Sequence, residues 1–312
     1  YLKNKGRRGM SKKILSLDNK KRIKIGLVGM GTMGQIIASK LLENKYQVIG
    51  YDLLPKLRKR AYGIGVEIVN SVGDIAKKAK VILLSLPGPV QVKEVVSENK
   101  GLLSTAQKGQ IIIDLSTVDP LTTRSMASIA EKIGVGYLDS PILGRPKSIG
   151  QWVLPIGGSI DYFKLCRPIL QAFAKQVVYV GESGAGNALK LVNQLMFSTI
   201  NAMTAEMMIV AKKTGLSPKI VFETISKSGA ATVSGLFCEV AKKIVENNFD
   251  PIFSVDLLCK DNGLAVEMAK KSGAPPIISS SVQVLNEIAQ AKGLGNKDTA
   301  ALIKVYNDLL YK

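Results

Sequence analysis

No histidine occurs in the 312 residues. A Ser-His-Asp triad and a histidine proton relay are therefore excluded, and any general acid or base must be Lys, Asp, Glu, Tyr or Cys. Cysteine is almost as scarce. Cys166, Cys238 and Cys259 stand far apart without CxxC spacing, which argues against a disulfide framework or a zinc site and for a reduced, cytoplasmic setting; no metal is expected. Acidic residues are also short, 24 Asp and Glu against 43 Lys and Arg, for a formal charge of +19. Much of the excess is local: residues 1–24 hold ten Lys and Arg against the single acid Asp18. The segment 1–21 reads as a disordered, solvated basic tail, with an arm for nucleic acid or an anionic surface as the sharper alternative. No apolar region ending in a small-residue cleavage site follows it, so no secretory signal is expected. Nor is there an uninterrupted membrane span. The uncharged run between Lys190 and Glu206 is broken by Asn193, Gln194, Ser198, Thr199, Asn201 and Thr204.

That run belongs to a stretch from Gly184 to Lys213 with no proline and no glycine after Gly186. Its length predicts a helix far longer than the usual 11–12 or so residues, buried on most sides and central between two domains. Lys190 falls in its first two turns. Desolvating an ammonium is costly unless it is paired or used, so this lysine needs an explanation.

The chain before it alternates strand and helix. Residues 22–28 (RIKIGLV) read as a strand that runs into Gly29-Met30-Gly31-Thr32-Met33-Gly34 and then an amphipathic helix; a second strand, Gln47 to Tyr51, ends at Asp52. Strand, GxGxxG turn, helix and a following acid together form a dinucleotide-binding fingerprint. Gly29 allows the tight turn, Gly31 the approach of a pyrophosphate and Gly34 close packing of helix on strand. The helix N-terminus offers its free N–H groups to phosphate. A carboxylate at Asp52 accepts hydrogen bonds from ribose hydroxyls and repels a 2′-phosphate, favouring NAD over NADP, although Lys56, Arg58, Lys59 and Arg60 could still attract that phosphate.

Two further buried strands, Val81 to Ser85 and Ile111 to Leu115, lead into Leu86-Pro87 and Ser116-Thr117. These loops leave the carboxyl ends of strands, where open α/β sheets bind ligands, so all four residues are candidates for dinucleotide contact. Individually each also reads as a loop former or helix cap. A strand ending at Asp139, a short β ribbon from Trp152 to Gly158, a helix over 162–174 and a strand over 177–180 close this half. From Gly184 onward only helices are predicted. The expected architecture is α/β then all-α: a doubly wound Rossmann domain over 22–182, and a helical substrate and oligomerisation domain over 183–312 that the long helix joins to it.

Five motifs in order carry a resemblance: GLVGMGTMG at 26–34, DLSTVDP at 114–120, DSPILG at 139–144, GAGNALKLVNQ at 184–194 and FSVDLLCKDNGLA at 253–265. The chain resembles the β-hydroxyacid dehydrogenase family, relatives of 6-phosphogluconate dehydrogenase, over nearly everything from Ile23 to Leu310. The resemblance implies reversible hydride transfer between NAD or NADP and a small 3-hydroxy acid or its semialdehyde. It makes Lys190 the general acid/base, Asn193 and Gln194 substrate contacts, Lys260 a residue near the cofactor and Asp261 its structural partner. It also implies a homodimer or homotetramer. One departure matters. Where the family reads D-A-P-V-S-G-G and binds the substrate carboxylate, this chain has Leu143 for the serine and Arg145 for a glycine, around Gly144. Leucine cannot donate a hydrogen bond; either Arg145 grips an anionic group or the substrate differs in size or polarity. The alternatives this leaves open are an imine or other carbonyl reductase on the same scaffold, and a non-catalytic nucleic-acid-associated relative.

Overall fold

The computed structural model describes residues 23–310, so the basic tail read from the sequence lies outside the described residues. The chain divides into two compact units, the first ending at Asn187 and the second beginning at Ala188.

The first unit is a doubly wound sheet of eight strands in the order β3-β2-β1-β4-β5-β6-β7-β8. They are β1 (Lys24–Val28), β2 (Gln47–Tyr51), β3 (Glu67–Ile68), β4 (Val81–Leu84), β5 (Ile111–Asp114), β6 (Gly136–Asp139), β7 (Val153–Gly158) and β8 (Gln176–Gly181). Pairing is parallel from β3 through β6 and between β7 and β8; β6 and β7 are antiparallel. The expected ribbon at 152–158 is thus a single strand, built into the main sheet because both its neighbours offer it a ladder. Strand alternation sends side chains to two cores. Val81, Leu83, Ile111 and Ile113 face helices α1 (Thr32–Glu43) and α6 (Ile160–Leu170). Ile82, Leu84 and Ile112 face α3 (Val72–Lys78), α4 (Pro89–Ser97) and α5 (Pro120–Lys132). Burial on both faces is why these strands read as continuous apolar runs. Helix α2 (Pro55–Gly63) was not legible as a helix, since only Ala61 of its nine residues is buried and the rest is a solvated charge run.

The second unit is all-helical among the described residues. Helix α7 (Ala185–Lys213) starts in the first unit and continues through the second, followed by α8 (Pro218–Ser226), α9 (Gly235–Val245), α10 (Val255–Lys271), α11 (Ile277–Ala291) and α12 (Leu302–Leu310). Ala205, Met208, Ile209, Val240, Leu258, Leu302 and Val305 form its core. Helix α7 is exposed along one side, at Leu189, Val192, Met196, Met203 and Val210. Four of them recur at seven-residue spacing, so one stripe of the helix points away from its own chain. No helix of the described residues is long and apolar enough to cross a membrane.

Candidate active site

The first unit carries a dinucleotide cradle. Gly29 has φ +92°, and a Cβ there would strike the Ser85 carbonyl; a Cβ on Gly34 would strike the Gly29 carbonyl. Both positions therefore demand glycine. Gly31 faces open space, and no side chain caps α1. The N–H groups of Thr32, Met33 and Gly34 have no acceptor within the helix and point their positive end at whatever occupies that space. This shape and polarity fit a pyrophosphate. Met30 plays a different part from its neighbours: its side chain is buried against Gly50, and its N–H donates to Asp52 Oδ2 at 2.7 Å. Asp52 Oδ1 accepts Leu54 N–H at 2.8 Å. The carboxylate is thereby aimed from both sides, with lone pairs left for ribose hydroxyls. The Arg58 guanidinium lies 5.7 Å from the centre of the Tyr51 ring.

Across β1, the loops after β4 and β5 are tied together. Leu86 N–H donates to Ser116 Oγ at 3.0 Å, Ser116 N–H donates to Asp114 Oδ1 at 2.9 Å, and the Tyr137 hydroxyl donates to Asp114 Oδ2 at 2.9 Å. Asp114 is fully buried, and burial pushes its pKa up to about 6 despite those donors. The same burial raises Tyr137 well above its ordinary value. Pro87 is exposed at the loop tip and Thr117 half-buried.

The loop that departs from the family pattern is rigidly backed. Leu143 forms an antiparallel bridge with Val153, and the indole N–H of the fully buried Trp152 donates to the Arg145 carbonyl at 2.7 Å. Ser148 Oγ accepts Arg145 N–H at 3.0 Å. Gly144 is exposed and lies on the Trp152 ring; Leu143 and Arg145 are half-buried.

Sequence reasoning assigned no role to the residues that seat the start of α7. Asp139, buried at the end of β6, accepts Gly184 N–H and Asn187 N–H, each at 2.8 Å. The buried Asn187 side chain accepts Val118 N–H at 3.2 Å and donates to Thr123 Oγ1 at 3.1 Å. The available signal was a carboxylate ending an otherwise apolar strand, since such a group is found buried only when satisfied.

In the second unit, Lys190, Asn193 and Gln194 follow along α7. Lys190 is half-buried, and desolvation lowers its pKa; the Asp261 carboxylate pulls it back up and the Lys260 ammonium pushes it down. Gln194 is 3% exposed, and its amide donates to Asp261 Oδ2 at 2.6 Å. Lys260 Nζ stands 2.7 Å from Asp261 Oδ1 as an ion pair, off the direction of an aligned hydrogen bond. Asn193 is exposed, at 3.4 Å from Gln194 Oε1.

The family model for the NAD-binding domain of 6-phosphogluconate dehydrogenase matches residues 24–181, and that for the NAD-binding region of NADP-dependent 3-hydroxyisobutyrate dehydrogenase matches 184–306. The chain belongs to the β-hydroxyacid dehydrogenase family. As a member it is an NAD(P)-dependent oxidoreductase of the 3-hydroxyacid class. Among curated relatives, 2-(hydroxymethyl)glutarate dehydrogenase of Eubacterium barkeri is 33% identical over 292 residues, covering 93% of this chain and 96% of its own. The mitochondrial 3-hydroxyisobutyrate dehydrogenase of Bos taurus is 30% identical over 288 residues, covering 90% and 85%. The crystal structure of 3-hydroxyisobutyrate dehydrogenase from Salmonella typhimurium superposes with a TM-score of 0.83 at 25% identity, covering 91% of this dehydrogenase and 99% of that chain. An imine reductase from Pseudomonas sp. shares the fold at 19% identity and a TM-score of 0.59.

Proposed function

We propose that this β-hydroxyacid dehydrogenase interconverts a 3-hydroxy acid carrying a second carboxylate with its semialdehyde, using Lys190 as general acid/base and NAD in preference to NADP. The bound nicotinamide supplies the hydride in reduction and takes it back in oxidation. Lys190 gives a proton to the carbonyl oxygen as the hydride arrives at its carbon, and removes the hydroxyl proton in the reverse direction. A lysine suits this because desolvation lowers its pKa, which makes the ammonium a readier proton donor. No histidine competes for the role. Asn193, on the same helix, hydrogen-bonds the substrate. Asp52, with its carboxylate already aimed by Met30 and Leu54, favours the unphosphorylated ribose.

The observation that carries the substrate class is Arg145. It replaces a glycine in a loop whose backbone is held by Trp152 and Ser148, and a guanidinium there offers a paired donor for a carboxylate. The relative at 33% identity is named for a substrate of this kind, a hydroxymethyl-bearing dicarboxylate. The test is turnover of 2-(hydroxymethyl)glutarate against 3-hydroxyisobutyrate and L-serine, with NAD and NADP, for the wild type, Arg145→Ala and Lys190→Ala. Arg145→Ala should cost about tenfold or more in kcat/KM for the dicarboxylate and little for the others. Lys190→Ala should abolish turnover and leave dinucleotide binding intact. A wild type that prefers a monocarboxylate and ignores Arg145→Ala refutes the substrate class; full activity in Lys190→Ala refutes the mechanism.

The exposed stripe of α7 supports a homo-oligomer as the working form. Leu189, Met196, Met203 and Val210 at heptad spacing suit a second helix of the same kind better than water.

A further inference from the structure

We infer that Asp114 is a positioning residue for the nicotinamide half of the dinucleotide, acting through Ser116 on the two loops that receive it. The cradle lies at β1 and α1, and Asp52 ends β2 on one side of it. A dinucleotide with its adenosine ribose at Asp52 must lay its other half over the opposite neighbours, β4 and β5, whose loops begin at Ser85 and Leu115. The Ser116 hydroxyl joins those loops. Ser116, 3% exposed, accepts the Leu86 N–H on its hydroxyl, and its own N–H donates to the Asp114 carboxylate at 2.9 Å.

A serine hydroxyl has one proton to give, and the Asp114 carboxylate beside it is the acceptor that leaves its lone pairs for the Leu86 N–H. The carboxylate thus selects the rotor orientation in which the Leu86 amide is held. Tyr137 fastens the other carboxylate oxygen from β6, and Asp114 pairs in register with Asp139 on that strand. The Ser116 hydroxyl is therefore committed to loop–loop bonding, and the dinucleotide meets the surface that this bonding shapes. A fully buried carboxylate is costly to desolvate, which makes this a demanding way to hold a mere sheet end together.

The experiment compares binding of NADH, by fluorescence titration, with binding of ADP-ribose, by competition. If the wild type prefers NADPH, that dinucleotide and 2′-phospho-ADP-ribose replace them. ADP-ribose engages the cradle and Asp52 but lacks the nicotinamide. Ser116→Ala should weaken NADH about tenfold while ADP-ribose stays within about twofold. Asp114→Leu should do at least the same, and Asp114→Asn, whose amide oxygen still accepts the Ser116 N–H, should recover most of the loss. If Asp114→Leu fails to fold, Ser116→Ala and Asp114→Asn decide the matter. Equal losses for NADH and ADP-ribose, or unchanged NADH affinity in Ser116→Ala, overturn the assignment. No turnover is measured, so the outcome is independent of the substrate proposed above.

Discussion

Replacing Asp114 by asparagine should make the protein more stable relative to wild type as pH rises from 4 to 7. The Asp114 pKa is raised from 3.8 to about 6, chiefly by burial. At about 1.36 kcal/mol per pH unit, that rise corresponds to about 3 kcal/mol. The folded state therefore binds this proton more tightly than the unfolded chain does. The resulting stabilisation is fully present below about pH 4 and gone above about pH 6. Asparagine has nearly the same shape and nothing to ionise. The unfolding free energy of Asp114→Asn minus that of wild type should accordingly climb by up to about 3 kcal/mol across this interval. Glu67 and Asp119, whose pKa values are lowered, titrate in both proteins and drop out of the difference. The assay is urea unfolding at pH 4, 5, 6 and 7, followed through Trp152. It is the only tryptophan, fully buried in the same unit as Asp114, so its emission reports the relevant transition. A difference curve that is flat, or that falls with pH, would mean that the burial cost of this carboxylate is met elsewhere and would refute the reasoning.

Asp261→Asn removes the charge that holds the Lys190 pKa up, so the limb of the pH–rate profile set by Lys190 should move to lower pH; Lys260→Met should move it to higher pH. Steady-state kinetics in the oxidative direction, where the proposed mechanism has activity rise as Lys190 loses its proton, reads both shifts, and movement of both in one direction would contradict the assignment. In the helical unit, Lys243 Nζ lies 3.1 Å from Asp298 Oδ2 with both side chains nearly fully buried. Lys243→Met should cost about 3 kcal/mol, since Asp298 keeps the backbone donors of Ile252, Phe253 and Ala300 but loses the opposite charge; helical circular dichroism during thermal unfolding measures it, and an unchanged transition would be inconsistent with a desolvated pair. Met196→Glu combined with Met203→Glu places two charges on the exposed stripe of α7 and should lower the mass in light scattering from that of the proposed homo-oligomer to that of a monomer; an unaltered mass would refute this stripe as the subunit contact.

What the sequence disclosed and what it hid divide along a physical line. The GMGTMG turn, Asp52 and the β4 and β5 strands were legible because their chemistry is local: glycines where a Cβ would strike a neighbouring carbonyl, an acid at a strand end, apolar runs with two buried faces. The Asp114–Tyr137 and Asn187–Thr123 contacts were not, because they join residues 23 and 64 positions apart, the first pair through the parallel register of β5 and β6 and the second through helices α5 and α7. Helix α7 shows the same limit within one element. Asn193 and Gln194 stand three and four residues beyond Lys190, so at 100° per residue they flank it on opposite sides, and periodicity ranks them equally. Packing separates them. The flank that bears Gln194 meets α10, where its amide is used by Asp261. Asn193 stays at the surface, its amide donating to Gln194 Oε1 at 3.4 Å. Which flank of the helix a neighbour covers thus decides whether a residue beside Lys190 is taken up by the scaffold, as Gln194 is, or left for the substrate role proposed for Asn193.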